Sequence, residues 1–245
     1  MPEPLPISVR PLTTRVVAVV PVRALESAKS RLGEVLDAEE RRDLVARLLD
    51  RTIAAARDAR RIDEVIVVSP DPATLAAAEA AGARALHQRG GGLNAAIDQA
   101  CDVAVADGYR ALVVLPGDLP LVDGPAIDAL VAAADPDDGP VVVLVTDRHG
   151  RGTNALLLRP PTVIAVAFGG DSLHAHAGRA SAAPARYVEI EGPLSLDLDT
   201  PEDLLYMEDR VPAGERVPAG ERVPAAEPSP AGRRDPGRRA DEPAS

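Results

Sequence analysis

The segment RVVAVVPV, residues 15–22, gives the clearest indication of the fold class. It is a continuous apolar run of strand length and is rich in valine, which is typical of a strand buried on both faces of a parallel sheet. Other short apolar runs follow along the chain: EVIVVS (64–69), ARALH (83–87), ALVVLP (111–116), PVVVLVT (140–146), TNALLLR (153–159) and ARYVEI (185–190). Each of these runs predicts a further strand.

Helical patterns separate the predicted strands. Asp37 and Glu40 have the spacing of a capping box, which predicts a helix from there to about Arg60. Asp71 before Pro72 predicts a second helix start. Further helices are predicted over residues 93–105, 124–134, 171–180 and 200–208. Strands that alternate with helices indicate an α/β fold with a parallel or mostly parallel sheet.

Composition excludes several classes of protein. One cysteine in 245 residues cannot form an internal disulfide or a multi-thiolate zinc site. That cysteine, Cys101, lies on the apolar face of a predicted helix, so we expect a small buried hydrophobic residue. No apolar run is long enough to span a bilayer, and a net charge of −11 argues against nucleic-acid or anionic-membrane partners. The N-terminus lacks the apolar core of a signal peptide, so we expect a cytoplasmic protein.

The composition changes near residue 210. We expect a flexible N-terminal segment over 1–14 and one folded domain over 15–209. From 210 to 245 the chain is rich in proline and arginine, and VPAGER occurs twice, which predicts a disordered tail.

Two loops have the residue types of a nucleotide site. The loop after the first strand contains Arg23, Lys29 and Arg31, and Lys29 is the only lysine in the chain. Such a loop could hold a triphosphate or could be a solvated charged loop. Three glycines end at Gly92, two residues before Asn94, at a predicted helix start. This segment predicts a close approach to a base or ribose, with a flexible loop as the alternative.

Carboxylates follow predicted strands at two places. Asp118 comes directly after the strand 111–116, while Asp197 and Asp199 are two residues apart in an extended segment. Side chains two apart in an extended segment point to the same side, so the three could share a Mg²⁺ ion. The alternatives are that Asp118 stabilises a turn and that Asp199 or Thr200 caps the last helix.

A small-anion site is predicted at a third place. Gly169 and Gly170 precede Ser172 at a helix start, where backbone N–H groups and a hydroxyl can bind an anion. Simple helix capping is the alternative. His174 and His176 lie two apart on that helix and cannot readily share a metal, so we assign them no role.

An ordered set of motifs runs through the predicted domain: PVRALESAKSRL (21–32), GLNAAI (92–97), PGDLPL (116–121), GTNALLL (152–158), FGGDS (168–172) and LDLDTPEDL (196–204). The set resembles the 2-phospho-L-lactate/phosphoenolpyruvate guanylyltransferases of coenzyme F-420 biosynthesis. The resemblance implies a Rossmann-like, three-layer α/β/α nucleotidyltransferase fold with a mostly parallel central sheet.

The resemblance also implies a reaction, in which GMP passes from GTP to a three-carbon phosphoacid and pyrophosphate leaves. It implies Asp118, Asp197 and Asp199 as Mg²⁺ ligands. A second group, Thr153, Gly169 and Ser172, would hold the phosphoacid. The nucleotide side would consist of the following residues: Arg23, Lys29, Arg31, Gly92 and Asn94.

Within these sets, Lys29 and Asp118 are the candidate catalytic residues. The acceptor stays open between phosphoenolpyruvate and 2-phospho-L-lactate, with phosphoenolpyruvate favoured because the GC-rich composition resembles that of actinobacteria. Alternatives are 3-phosphoglycerate or molybdopterin guanylyl transfer, or a GTP-binding regulator without catalysis. A downstream deazaflavin-accepting transferase is a further candidate partner.

Overall fold

A computed structural model of the chain describes residues 14–22, 30–135 and 139–210. These residues form one sheet of seven strands in the order β3-β2-β1-β4-β6-β5-β7. The strands are β1 (Val16–Pro21), β2 (Glu64–Ser69), β3 (Arg84–His87), β4 (Ala111–Val114), β5 (Val141–Thr146), β6 (Thr153–Arg159) and β7 (Arg186–Ile190). Within this sheet β6 runs antiparallel to both neighbours, and the other pairs are parallel. The predicted, mostly parallel sheet is confirmed.

The helices begin where the capping patterns place them. They are α1 (Ala38–Asp58), α2 (Pro72–Ala80), α3 (Leu93–Ala106), α4 (Gly124–Ala132), α5 (Ser172–Ala182) and α6 (Pro201–Arg210), with short 3-10 helices at Ser30–Glu34 and Pro193–Ser195. The Asp37 carboxylate accepts from the Glu40 backbone N–H at 2.9 Å, and the Glu40 carboxylate accepts from the Asp37 N–H at 2.8 Å. This reciprocal pair satisfies N–H groups that the first helical turn leaves without partners.

The helices cover both faces of the sheet. One apolar cluster joins a face of the sheet to α1, α2 and α4, and a second joins the opposite face to α3 and α5. All six residues of β1 are buried, as a strand between two helical layers requires. The predicted three-layer α/β/α architecture is therefore confirmed.

Helix α3 buries Cys101, as predicted. Burial raises the pKa of the Cys101 thiol to about 12, with smaller contributions from the nearby Asp98 and Asp102 carboxylates. The apolar face of this helix is not buried to its end, because Val105 is 50% exposed. Val105 lies at the edge of the apolar stripe in the last turn.

A third cluster positions the acidic segment that follows the sheet. Leu196 and Leu198 pack with Leu32, Leu48 and Met207, which belong to the first 3-10 helix, α1 and α6. The alternating buried leucines fix the backbone between them and thereby the positions of Asp197 and Asp199.

Several predictions lie outside the described residues. They are the flexible segment over residues 1–14, of which 1–13 are not described, the tail over 210–245, of which 211–245 are not described, and the placement of Arg23 and Lys29. The predicted start of the tail was wrong by one residue, because Arg210 is the last residue of α6. The backbone of Arg31 lies in the 3-10 helix Ser30–Glu34. In the described part of the chain, no helix combines the length and the apolar character needed to cross a membrane.

Candidate active site

Three carboxylates meet beyond the end of β4. The Leu198 N–H donates to the Asp118 carbonyl at 3.2 Å, which ties the loop after β4 to the acidic segment. Leu198 is buried, while Asp197 and Asp199 on either side of it are partly exposed. The two carboxylates therefore lie on the side away from the Leu198 core contact. The structure brings together the three acids that the sequence singled out.

The cluster is electrostatically crowded. Burial raises the pKa of Asp197, and the negative charges of Asp118 and Asp199 raise it further. A hydrogen bond of 3.4 Å from the Asn154 side-chain amide to the Asp197 carboxylate partly opposes these effects. A cation at this place would relieve the repulsion between the carboxylates.

The number of side-chain ligands limits how a Mg²⁺ ion could bind at the acidic cluster. Among the residues that the structure describes, no three His, Cys, Asp or Glu side chains are grouped so that they could hold a metal ion by themselves. Mg²⁺ commonly keeps several waters and is held by one or two carboxylates together with substrate phosphates. The acidic cluster alone is therefore not a complete metal site, and a Mg²⁺ ion here would need further ligands from a substrate.

Asp203 holds the backbone of the acidic segment. Its Oδ2 accepts from the N–H groups of Asp199 (3.0 Å) and Thr200 (2.7 Å), and Arg148 contacts its Oδ1 at 2.6 Å. Burial of Asp203 opposes ionisation, but the hydrogen bonds from Thr200 and Asp199 and the Arg148 charge outweigh it and lower its pKa. Sequence reasoning missed both Asp203 and Arg148, although Thr200 and Asp203 have the three-residue spacing of a capping pair.

Thr200 is the residue that caps α6. Its hydroxyl accepts from the Asp203 N–H at 3.2 Å, and its carbonyl accepts from the Leu204 N–H at 3.2 Å. Of the two capping alternatives left open by the sequence, the structure selects Thr200, and the Asp199 carboxylate contributes to the negative field around Asp197.

The predicted small-anion residues also come together, at the start of α5. Gly169 has φ +155°, and its carbonyl accepts from the Ser172 N–H at 3.2 Å. In the next residue, the Leu173 N–H donates to the Arg151 carbonyl at 3.1 Å, which places the loop before β6 against the first turn of α5. Thr153 and Ser172 are both buried in this region.

A β-bulge sets the direction of Thr153. Val145 pairs with Ala155, whereas Thr146 pairs with Thr153, so Asn154 is the extra residue on β6. Without the bulge, Thr153 would share the sheet face of Ala155, which packs with α1 and α4. The bulge turns Thr153 toward α5 instead, as bulges beside functional sites commonly do.

The second amide residue, Asn94, which was predicted to contact a base or ribose, also joins two segments of the structure. Its Nδ2 donates to the Phe168 carbonyl at 3.0 Å, and its Oδ1 accepts from the Phe168 N–H at 2.8 Å. Both ends of the amide are used to join the start of α3 to the segment before Gly169. These partners are 74 residues apart, so local sequence gave no signal for the contact.

The glycine-rich loop before α3 is organised by glutamines. The Gln88 side-chain amide donates to the Gly91 carbonyl at 2.8 Å. The side-chain oxygen of Gln99 accepts from the Arg89 N–H at 3.0 Å. Gly92 is the exposed N-cap residue of α3 and has no side chain to hydrogen-bond to the first turn. The loop therefore has internal hydrogen bonds, which the flexible-loop alternative lacks.

His176 is a site residue that the sequence analysis left without a role. It is buried four residues after Ser172, on the same face of α5. Its Nδ1 lies 3.0 Å from Thr153 Oγ1, and its Nε2 lies 2.9 Å from the Ala167 N. Burial lowers the pKa of His176 to about 4, with a smaller contribution from Arg179. In contrast, His174 is exposed and pairs with Asp171 at 2.9 Å.

Comparisons with known proteins identify the family of the chain. Residues 16–208 match the family model described as "Guanylyl transferase CofC like". A phosphoenolpyruvate guanylyltransferase from Sphaerobacter thermophilus is 44% identical over 199 residues, which is 80% of this chain and 94% of that protein. One from Rubrobacter xylanophilus is 44% identical over 194 residues, or 79% and 93% of the two chains.

Solved structures extend the likeness to the fold. A nucleotidyl transferase from Methanothermobacter thermautotroptrophicus superposes with a TM-score of 0.56 at 16% identity, over 80% of this chain and 96% of that one. The family match spans the whole described sheet and both groups of site residues. The chain is a nucleotidyltransferase and belongs to the CofC-like guanylyl transferase family.

Proposed function

We propose that this chain transfers GMP from GTP to the phosphate of phosphoenolpyruvate, with release of pyrophosphate. The observation that carries the proposal is the contact pattern of Thr153 and Asn154. Thr153 faces α5 and the anion-binding turn, while the adjacent Asn154 donates to Asp197 in the acidic cluster. The two subsites thus meet at the start of one strand, as a reaction between two bound phosphates requires.

The acidic cluster would serve the nucleotide side of the reaction. Asp118, Asp197 and Asp199 would hold Mg²⁺, which supplies neutralising charge where the α-phosphate and the entering phosphate approach each other. Asp203 keeps the Asp199 backbone in place, and Asn154 orients the Asp197 carboxylate. These contacts fix the carboxylates before substrate arrives, which reduces reorganisation during the reaction.

The α5 region would bind the acceptor. The Ser172 hydroxyl, the Thr153 hydroxyl and the backbone beside Gly169 are neutral groups that suit a small anion at a helix start. The acceptor phosphate oxygen is already anionic and needs no general base. It attacks the α-phosphorus of GTP, the bond from that phosphorus to the β-bridging oxygen breaks, and pyrophosphate leaves.

The remaining assignments rest on the sequence motifs. Lys29, with Arg23 and Arg31, would neutralise the departing pyrophosphate, and Gly92 would approach the base. Phosphoenolpyruvate is chosen over 2-phospho-L-lactate because the relatives at 44% identity carry the name phosphoenolpyruvate guanylyltransferase. The product, enolpyruvoyl-diphospho-5'-guanosine, would enter coenzyme F-420 biosynthesis through the deazaflavin-accepting transferase.

The test is pyrophosphate release from GTP and Mg²⁺ with each of three acids: phosphoenolpyruvate, 2-phospho-L-lactate and 3-phosphoglycerate. The downstream transferase is present to consume the product. We expect release with phosphoenolpyruvate and much slower release with the other two. No release with any acid, from folded protein that still binds GTP, would refute the proposal, and preference for another acid would replace the acceptor.

A further inference from the structure

The protonation state of His176 follows from its two partners. The backbone N–H of Ala167 can only donate a hydrogen bond, and it lies 2.9 Å from His176 Nε2. Nε2 must therefore present a lone pair and carry no proton. In a neutral imidazole the single proton then resides on Nδ1.

This tautomer determines how the Thr153 hydroxyl is used. With its proton on Nδ1, His176 donates to Thr153 Oγ1 across 3.0 Å. The oxygen of Thr153 is then an acceptor for His176, so the hydroxyl hydrogen must be directed at a different group. A phosphate or carboxylate oxygen of a bound anion is a suitable acceptor for such a hydrogen.

We propose that His176 is a positioning residue that turns the Thr153 hydroxyl into a dedicated hydrogen-bond donor toward the phosphoacid. The inference rests on the proposed function, because it takes Thr153 to contact that substrate. It adds that the Thr153 hydroxyl hydrogen points toward the bound phosphoacid, because His176 on α5 occupies the other side of the Thr153 oxygen.

The surroundings of His176 keep the ring neutral and fixed. The ring is buried, and the Phe168 ring packs against it edge-to-face with centroids 5.1 Å apart. The charged group beside it, Arg179, donates to the carbonyls of Ala165 and Val166 and disfavours a second positive charge. A protonated ring would also direct an Nε2–H at the Ala167 N–H, where two donors cannot share a hydrogen bond.

The backbone from 165 to 168 is held by three side chains from two helices. Arg179 contacts two of its carbonyls, His176 accepts from Ala167, and Asn94 pairs with Phe168. This segment leads directly into Gly169. His176 therefore joins the wall of the anion-binding turn to Thr153 on the opposite side, and its orientation is determined by both.

The first test reads the tautomer directly and does not depend on any activity. Long-range ¹H–¹⁵N correlation spectra of the full chain, labelled at histidine, distinguish a proton on Nδ1 from one on Nε2. The His176 signal is assigned by its absence from His176→Gln. We expect the Nδ1–H form at pH 7, and an Nε2–H form would overturn the proposal.

The second test is kinetic. In His176→Gln the amide oxygen can still accept from Ala167. The amide nitrogen is bonded to Cδ and not, like Nδ1, to Cγ, so no donor remains at the position that faces Thr153. We expect the KM for phosphoenolpyruvate to rise about tenfold, the order expected when one hydrogen bond to a charged group is weakened. The kcat and the KM for GTP should stay within about twofold of wild type, by the same reasoning. His174→Gln, an exposed change on the same helix, is the matched control and should behave as wild type.

A double-variant cycle separates this role from simple packing. If His176 acts through Thr153, then Thr153→Val combined with His176→Gln should have the same KM for phosphoenolpyruvate as Thr153→Val alone. The inference would be overturned if the effects of the two substitutions on the KM multiplied in the double variant, or if folded His176→Gln had an unchanged KM. The proposed function would stand in either case. If wild type does not use any phosphoacid, the proposed function fails, and the tautomer spectrum still decides the hydrogen-bond arrangement.

Discussion

The acidic cluster and the α5 anion turn lie side by side and solve opposite electrostatic problems. The acidic cluster holds like charges close together, so that the pKa of Asp197 is raised by burial and by its neighbours. Near Thr153 the α5 turn contributes the buried Ser172 hydroxyl and the buried, neutral His176 imidazole, while the Asp171 carboxylate of the same turn is exposed and pairs with His174. The buried part of this turn is termed the neutral region. Under the proposed function, the negative region would recruit a cation and the neutral region would bind an anion through neutral donors.

The largest effect is expected from Asp118→Asn, which breaks the negative region. We expect kcat to fall by at least about a thousandfold, because charge neutralisation between the reacting phosphates is lost. The fold should persist, because the substitution preserves the shape of the side chain and relieves the repulsion with Asp197. Steady-state kinetics and thermal unfolding measure the two effects, and near-normal turnover would refute the metal assignment.

Stability against pH tests the neutral region. The pKa of His176 is lowered to about 4 in the folded protein, while the unfolded chain has a value near 6.5. Between these values the unfolded state binds the proton more readily, so this contribution to stability is complete above about pH 6.5 and is lost as the pH falls toward 4.

Wild type should therefore lose about 2–3 kcal/mol more than His176→Gln between pH 7 and pH 4. Denaturant unfolding at both pH values gives the difference. The other groups that titrate in this range are common to the two proteins and cancel in the comparison. Equal losses in the two proteins would show that His176 is not held neutral by the fold.

Asp203→Asn tests the support of the acidic segment. The substitution removes an acceptor shared by the Asp199 and Thr200 N–H groups and the partner of Arg148. We expect a loss of about 2 kcal/mol in the free energy of unfolding and a higher Mg²⁺ concentration for half-maximal rate. Glu202→Gln, at the exposed neighbouring position, should change stability by less than about 0.5 kcal/mol. An equal loss in the free energy of unfolding in both variants would show that Asp203 has no special role in holding the acidic segment.

The smallest effect is expected from Ser172→Ala in the neutral region. One hydroxyl is lost at the start of α5, so the KM for phosphoenolpyruvate should rise about tenfold with little change in the KM for GTP. Initial rates over a grid of both substrates separate the two constants. A fall in kcat at saturating phosphoenolpyruvate would instead place Ser172 among the groups that act in the transition state.

The same comparison explains what could be predicted from the sequence. Asp118 directly follows a valine-rich strand, and Asp197 and Asp199 alternate with buried leucines, so local pattern was enough to place them at one edge of the sheet. The helix starts at Asp37 and Asp71 could also be predicted from local sequence, because a capping residue and its helix are neighbours in the chain.

The neutral region depends on contacts that no local pattern contains. Asn94 and Phe168 are 74 residues apart, and Thr153 reaches His176 because a bulge at Asn154 changes the face of the strand. A period-two pattern cannot show that change of face. The contact between His176 and Thr153 and the pairing of Asn94 with Phe168 were therefore not predicted.

The central claim is that the acidic cluster and the α5 turn serve different substrates. Its most direct test is transfer of labelled GMP from [α-³²P]GTP to phosphoenolpyruvate by Ser172→Ala and by Asp118→Asn. The rates are measured over a wide range of phosphoenolpyruvate concentrations at saturating Mg²⁺. The account predicts that Ser172→Ala approaches the wild-type rate as the acceptor saturates, while Asp118→Asn stays inactive at every concentration. Recovery of Asp118→Asn by excess phosphoenolpyruvate, or a Ser172→Ala rate that never recovers, would contradict it.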